Sequence, residues 1–139
     1  MKIPGLEVEF SALAAPVPIW HAQVTAQEWS AAAGLVREQG GRLLALWASS
    51  SVDTVAIESV AAHSATTRAR AVFVSYVLLE GVFWLALPLD GTVGQSRYPD
   101  LAAVFPAAAR MQRAAADLSG VQAEGSPDPR PWLNHGAWA

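Results

Sequence analysis

The sequence contains no cysteine, a single lysine and few charged residues of either sign. Of its 139 residues, 15% are charged and 53% are hydrophobic, against about 25% and about 45–50% in an average soluble domain. The absence of cysteine excludes disulfides, iron–sulfur ligation and cysteine zinc sites within this chain. Nine basic residues, a net charge of −3 and no basic stripe also exclude a nucleic-acid partner. The charge deficit predicts an apolar surface that another protein covers.

The N-terminus and the longest apolar run do not suit a secretory signal or a membrane span. Acids and prolines interrupt the first 18 residues, so the apolar core of a signal peptide does not form. Residues 71–89 carry one charge, Glu80, at the centre of the run, where a span tolerates it least. The run is rich in Val and aromatic residues, which suit strands, and Glu80-Gly81 suits a two-residue turn. We expect a β-hairpin with two apolar faces, one covered by helices and the other by another protein, and no direct membrane span.

The rest of the pattern predicts an α+β domain. Thr25 and Glu28 have the spacing of a capping box at the start of a helix, and Gly40-Gly41 ends it. The predicted elements are an irregular arm over 1–18, strands over 19–24, 42–48 and 52–60, the hairpin, and helices over 26–39, 99–105 and 106–118. The expected fold is a mixed or antiparallel sheet of about four or five strands with helices packed on one face and an extended C-terminal tail.

The last predicted helix and the tail hold the candidate contact residues. The helix has its apolar residues at Met111, Ala114, Ala115 and Leu118, and it places Arg113 four residues from Asp117, so that the two pair weakly on the other side. In the tail, prolines at alternate positions disfavour a helix or a central strand, yet two tryptophans need burial against the domain or a partner. We therefore divide the chain into a domain over 1–120 and a Pro/Trp-rich docking tail over 121–139.

A family resemblance rests on a series of short motifs between residues 97 and 138. In chain order these are Tyr98-Pro99-Asp100-Leu101, Pro106-Ala107-Ala108, Gln112-Arg113-Ala114, Asp117, Ser119-Gly120-Val121, Gly125-Ser126-Pro127-Asp128, Pro129-Arg130-Pro131-Trp132-Leu133 and His135-Gly136 with Trp138. This stretch resembles the 30-kDa subunit family of respiratory complex I. It also resembles the related N-terminal module of the large subunit in membrane-bound [NiFe] hydrogenases such as formate hydrogenlyase, and the Pro-Trp ending looks more like that hydrogenase branch.

The sequence departs from the family pattern at four positions of this stretch. Gln112 and Ala114 stand where the family has two acids flanking Arg113. Ser119 replaces an aromatic residue and Ser126 replaces a histidine. Membership is therefore better supported than a fully retained partner contact.

The resemblance implies a scaffold that holds no cofactor and no metal. Such a subunit packs beside the large 49-kDa-like or [NiFe] catalytic subunit of an NADH:quinone oxidoreductase or hydrogenase. It takes part in electron transport only as a component of that complex, and through the complex this cytoplasmic subunit is peripheral to the cytoplasmic face of the inner membrane. The residues that the resemblance and the tail composition assign to this partner interface are Arg113, Asp117, Pro127, Asp128, Arg130, Trp132, His135 and Trp138.

The sequence contains no pattern of side chains that predicts catalysis by this chain itself. His21, His63 and His135 lack metal-ligand spacing, the serines at 49–51 lack a nucleophile elbow, and no phosphate-binding glycine loop is present. An alternative function is a stand-alone small-molecule-binding or regulatory domain, homo-oligomeric when isolated. At the level of residues, Arg113 and Asp117 are alternatively a solvated helix pair, Asp128 a turn residue, and the tail tryptophans tucked against their own domain.

Overall fold

The computed structural model describes residues 2–49, 70–90, 96–126, 128 and 130–132. Its elements in chain order are β1 (Ser11–Leu13), β2 (Ile19–Gln23), α1 (Ala26–Glu38), β3 (Arg42–Ser49), β4 (Arg70–Leu78), β5 (Gly81–Leu89), β6 (Arg97–Pro99), α2 (Ala108–Ser119) and β7 (Gln122–Glu124). The strand predicted at 52–60 lies outside the described residues. The two described helices and the mixed sheet confirm the α+β class.

Five strands form the main sheet in the order β1-β2-β5-β4-β3. The β2–β5 pair is parallel and the other pairs are antiparallel, while β6 and β7 form a separate parallel pair. The predicted hairpin is confirmed as β4 and β5. Its turn is Leu79-Glu80 and not Glu80-Gly81, because Leu78 pairs with Gly81. Gly81 has φ +139°, and a Cβ there would lie 2.5 Å from the carbonyl oxygen of Pro18, so glycine is required where β5 passes the start of β2.

The main hydrophobic core lies between one face of the sheet and the two helices. The predicted capping box begins α1: the Thr25 amide donates to Glu28 Oε2 at 2.7 Å, and the Glu28 amide donates to Thr25 Oγ1 at 3.3 Å. The apolar stripe of α1 is buried against alternate residues of β4. These core residues are Trp29, Ala32, Ala33 and Val36 on α1 and Val72, Val74, Tyr76 and Leu78 on β4. Helices on one face of the sheet are therefore confirmed.

The opposite face of the sheet carries a smaller aromatic cluster. Phe73 is fully buried, and its ring centroid lies 5.4 Å from that of Trp47 and 5.9 Å from that of Trp84. Trp47 therefore belongs to this second cluster and not to the main core. Leu79, expected on this face, is fully exposed in the turn. Within the described ranges, neither helix has the length and apolarity needed to cross a bilayer.

Two segments differ from the elements that the sequence predicts. The arm at 1–18 is not irregular throughout, because it contains β1 and places Ile3 and the alternating Leu6, Val8 and Phe10 in the main core. Residues 99–105 are not a helix. Pro99 ends β6, and the Asp100 carboxylate accepts the amides of Ala102 and Ala103 in a series of turns. The following helix begins at Ala108, two residues after the predicted start.

Candidate docking surface

The helix α2 packs along β3 with a different face from the one predicted. Leu118, expected to be buried, is 66% exposed, whereas Gln112 is 2% exposed. The buried residues are Ala108, Gln112 and Ala115, with Met111 partly buried beside them. The small alanines permit close packing, and Met111 Sδ accepts the Leu46 amide of the edge strand β3 at 3.2 Å. The helix is therefore rotated so that a polar amide, and not Leu118, faces the interior.

Arg113 binds the tail through all three of its guanidinium nitrogens. Nε donates to the carbonyl oxygen of Arg130 at 2.7 Å, and Nη2 donates to that of Pro131 at 2.9 Å. Nη1 donates to Asp128 Oδ2 at 3.3 Å, and the Arg113 side chain is only 15% exposed. Arg113 is thus not part of a solvated helix pair: its fork holds two successive carbonyls and a carboxylate that follow it by 15 to 18 residues in the chain.

Asp128 joins the tail to itself as well as to the helix. Its carboxylate accepts Arg130 Nε and Nη2, each at 2.8 Å, and the Arg130 amide at 3.2 Å. The hydrogen bonds from the Arg130 side chain hold the pKa of Asp128 well below its usual range, and the charge of Arg113 adds to this effect. Asp128 therefore acts both as the local turn residue and as an ionic link to α2.

Asp117 and Trp132 complete the attachment of the tail. The Trp132 amide donates to Asp117 Oδ2 at 2.9 Å. The Trp132 ring lies over the guanidinium carbons of Arg110 and Arg113, 5.2 Å and 5.1 Å from the ring centroid, and stays 39% exposed. Trp132 is therefore partly covered by its own domain and partly exposed. We refer to the cluster of Arg113, Asp117, Asp128, Arg130 and Trp132 as the tail clasp.

The clasp contains five of the eight residues predicted for the interface. The other three, Pro127, His135 and Trp138, lie outside the described residues. The structure brings the five together because α2 and the tail run side by side after the turn at Gly120, which has φ +65°. Their role in docking stays a prediction.

Two residues that make buried or partly buried contacts, Gln112 and Asp100, were not predicted as contact residues from the sequence. Gln112 accepts the Leu101 amide at 2.8 Å through Oε1 and donates to Asp100 Oδ1 at 2.7 Å through Nε2. The sequence signal for the burial of Gln112 was its position between Ala108 and Ala115, four and three residues away, which puts all three on one helix face.

The Tyr98 phenol lies near Asp100. Burial raises the pKa of this phenol above its usual range, and the neighbouring Asp100 carboxylate raises it further.

A polar cleft of about 390 Å³ opens between α2, β7 and the tail. Three arginines and two aspartates line it: Arg97, Arg113, Arg130, Asp117 and Asp128. Both aspartates accept hydrogen bonds within the clasp. The Arg97 side chain, in contrast, is exposed and has no hydrogen bond or ion pair to a described residue. In the described part of the chain, no group of three His, Asp or Glu side chains is arranged to hold a metal ion.

Comparison with solved structures defines the class of the fold. The chain is 14% identical to the trypsin-resistant fragment (1–134) of Nqo5, covering 91% of this chain and 92% of that one with a TM-score of 0.65. It is 17% identical to a chain of the membrane-bound sulfane sulfur reductase, described as an archaeal respiratory membrane complex; the match covers 96% of this chain and 72% of that one with a TM-score of 0.69. At these identities the likeness shows a shared fold. No curated protein matches the sequence.

The family follows from the sequence profile described as the respiratory-chain NADH dehydrogenase 30 Kd subunit, which matches residues 22–139. The match includes the whole of α1, α2 and the clasp. The chain belongs to this family and is a complex I 30-kDa-like subunit.

Proposed function

We propose that this chain is a non-catalytic scaffold subunit of a complex I-like NADH:quinone oxidoreductase or of a membrane-bound [NiFe] hydrogenase. In this role it docks the large, 49-kDa-like catalytic subunit through residues 106–139, at the cytoplasmic face of the inner membrane. Family membership supports the kind of complex. The observation that carries the docking site is the clasp, which fixes the tail to α2 and leaves Trp132 39% exposed.

A tail held in place before docking is an advantage for binding. An extended segment without regular structure loses conformational freedom when a partner orders it, and prior ordering removes part of that cost. Three hydrogen bonds from Arg113 and one to Asp117 order residues 128 and 130–132 within this chain. Trp132 is then a rigid aromatic group of the kind that dominates binding energy at interfaces.

The charges around the clasp indicate the chemistry of the partner surface. Both carboxylate oxygens of Asp128 already accept hydrogen bonds from arginines. The exposed Arg97 and the 76% exposed Arg130 side chain therefore present further guanidinium N–H groups to the cleft that have no acceptor among the described residues there. A complementary partner presents carboxylates there. We expect Arg97→Glu to weaken association, most strongly at low salt. Arg42→Glu, the same charge reversal at an exposed position of β3, is the matched control and leaves association unchanged.

Co-expression with a 49-kDa-like large subunit tests the docking role. We expect the full chain to co-purify with the large subunit and a truncation after Gly120 to abolish co-purification. Trp132→Ala tests the anchor within the full chain, with Leu79→Ala as a control that removes a fully exposed apolar side chain from the hairpin turn. Full recovery of the truncated chain with the large subunit would show that the tail is not the docking element.

The cleft itself supports a second candidate, a stand-alone small-molecule-binding or regulatory domain. Its volume of about 390 Å³ lies within the usual range of about 300–1,000 Å³ for ligand sites. This function predicts saturable binding of a small carboxylate, such as citrate, by the isolated chain and a stable homo-oligomer. A monomer that binds no citrate but co-purifies with the large subunit excludes it.

A further inference from the structure

The first turn of α2 lacks the local features that usually fix the start of a helix. Its N-cap is Ala107, which offers no side-chain hydrogen bond, and the first turn contains no acidic residue. A capping side chain at such a position would accept one of the unpaired amides of the first turn and stabilise the helix start. The contrast with α1, which has a complete capping box, means that α2 must be positioned by contacts further along the helix.

Gln112 supplies those contacts from the second turn. It is 2% exposed, and both ends of its amide are used: Oε1 accepts the Leu101 amide, and Nε2 donates to Asp100 Oδ1. Asp100 is fixed in turn by the amides of Ala102 and Ala103, at 3.1 Å and 3.2 Å. A buried amide whose oxygen and nitrogen are both hydrogen-bonded tolerates little rotation of the helix that carries it.

The next residue along α2 is Arg113, whose guanidinium meets two successive carbonyl oxygens of the tail. A planar fork donates well only within narrow limits of distance and angle. We propose that Gln112 and Asp100 are positioning residues, whose hydrogen bond sets the rotation of α2 so that Arg113 and Asp117 hold the tail. The proposal concerns how the clasp is built, and it rests on the proposed function only in treating the clasp as the docking surface.

The sharpest test is Gln112→Glu, which keeps the size of the side chain and places a carboxylate 2.7 Å from Asp100 Oδ1. The local readout is hydrogen exchange of the Trp132 amide, which donates to Asp117. We expect protection of this amide at neutral pH to fall by roughly tenfold or more, the size of effect that a misplaced buried polar group produces. Amides in the middle of α1, such as that of Ala32, keep their protection, which separates loss of the clasp from global unfolding.

Gln122→Glu is the matched control. Gln122 lines the same cleft from β7 but is exposed and has no side-chain hydrogen bond to a described residue. The same charge is therefore introduced in the same cleft without facing Asp100. We expect this variant to keep wild-type protection at Trp132.

Rescue by a second substitution tests the pairing directly. In Asp100→Asn/Gln112→Glu the asparagine amide can donate to the new carboxylate, although the Ala102 amide then loses its acceptor at Oδ1. We expect this double variant to recover part of the Trp132 protection. In the single Gln112→Glu variant, acidification to about pH 4 recovers part of the protection, since one proton shared by two carboxylates removes their repulsion. The charged and titratable groups around this position are Asp100, Tyr98, Arg97, Arg113, Asp117, Asp128 and Arg130.

Two results would overturn the proposal. One is unchanged Trp132 protection in Gln112→Glu, and the other is a parallel loss of protection in α1 that Asp100→Asn does not reverse. Co-purification with the large subunit is measured separately. A chain that shows the exchange pattern but binds no large subunit supports the positioning role and refutes the proposed function alone.

Discussion

Removing the Arg113 side chain tests whether the tail is held by the contacts described. Arg113→Ala deletes the two hydrogen bonds to the carbonyl oxygens of Arg130 and Pro131, at 2.7 Å and 2.9 Å, together with the stacking on Trp132. A hydrogen bond from a charged group contributes about 1.5–3 kcal/mol, and the partial exposure of this region lowers each bond to about 1–1.5 kcal/mol. The two bonds together should contribute about 2–3 kcal/mol to tail attachment.

The assay is amide exchange at Trp132, followed by NMR or by mass spectrometry of the C-terminal peptide. A loss of this size corresponds to a roughly 30- to 150-fold fall in protection. Arg113→Lys keeps the charge but not the planar, forked guanidinium, so we expect protection of the Trp132 amide in this variant to lie between that of the wild type and that of Arg113→Ala. Arg42→Ala, an exposed arginine on β3, is the control. Wild-type protection in Arg113→Ala would refute the reasoning, because it would show that the tail stays attached without the guanidinium.

Two further predictions concern charge and capping. Asp128 has its pKa lowered in the folded chain by the Arg130 hydrogen bonds, so its contribution to tail attachment is present above the unfolded pKa of about 3.9 and is lost as the pH falls below it. Trp132 protection should therefore weaken in acid, and Asp128→Asn should weaken it at neutral pH and remove this acid dependence; an acid profile identical to wild type contradicts the assignment. Thr25→Ala removes the capping box of α1 and should lower the free energy of unfolding by about 1 kcal/mol in urea titrations, without changing Trp132 protection. A loss confined to the tail would contradict this.

Local patterns in the sequence were sufficient to predict much of the fold. The capping box needs only Thr25 and Glu28, which are three residues apart, and its bonds form as predicted. The hairpin follows from an apolar run with one charged turn residue, although the turn lies one residue earlier, with Gly81 already paired with Leu78. These features depend on interactions within a few residues or on a single strand pattern, and both can be read from the chain.

Contacts between distant segments account for most of what the sequence did not predict. The burial of Leu6, Val8 and Phe10 depends on where the N-terminal arm lies against the core. The face of α2 could not be deduced from hydrophobicity, because the buried position is taken by Gln112, whose partners lie 11 and 12 residues away. Helix spacing favoured an Arg113–Asp117 pair, but Arg113 donates to carbonyl oxygens of the tail and Asp117 accepts the Trp132 amide. Composition did predict that Trp132 would need a packing surface.

Site-specific photo-crosslinking from position 132 tests the central claim most directly. The complex is purified after co-expression with the large subunit, with a benzophenone amino acid in place of Trp132 and, in a second sample, in place of Leu79 at the opposite hairpin turn. The docking account predicts a crosslink to the large subunit from position 132 and none from position 79. A crosslink from position 79 alone, or none from position 132 within an intact complex, would contradict it.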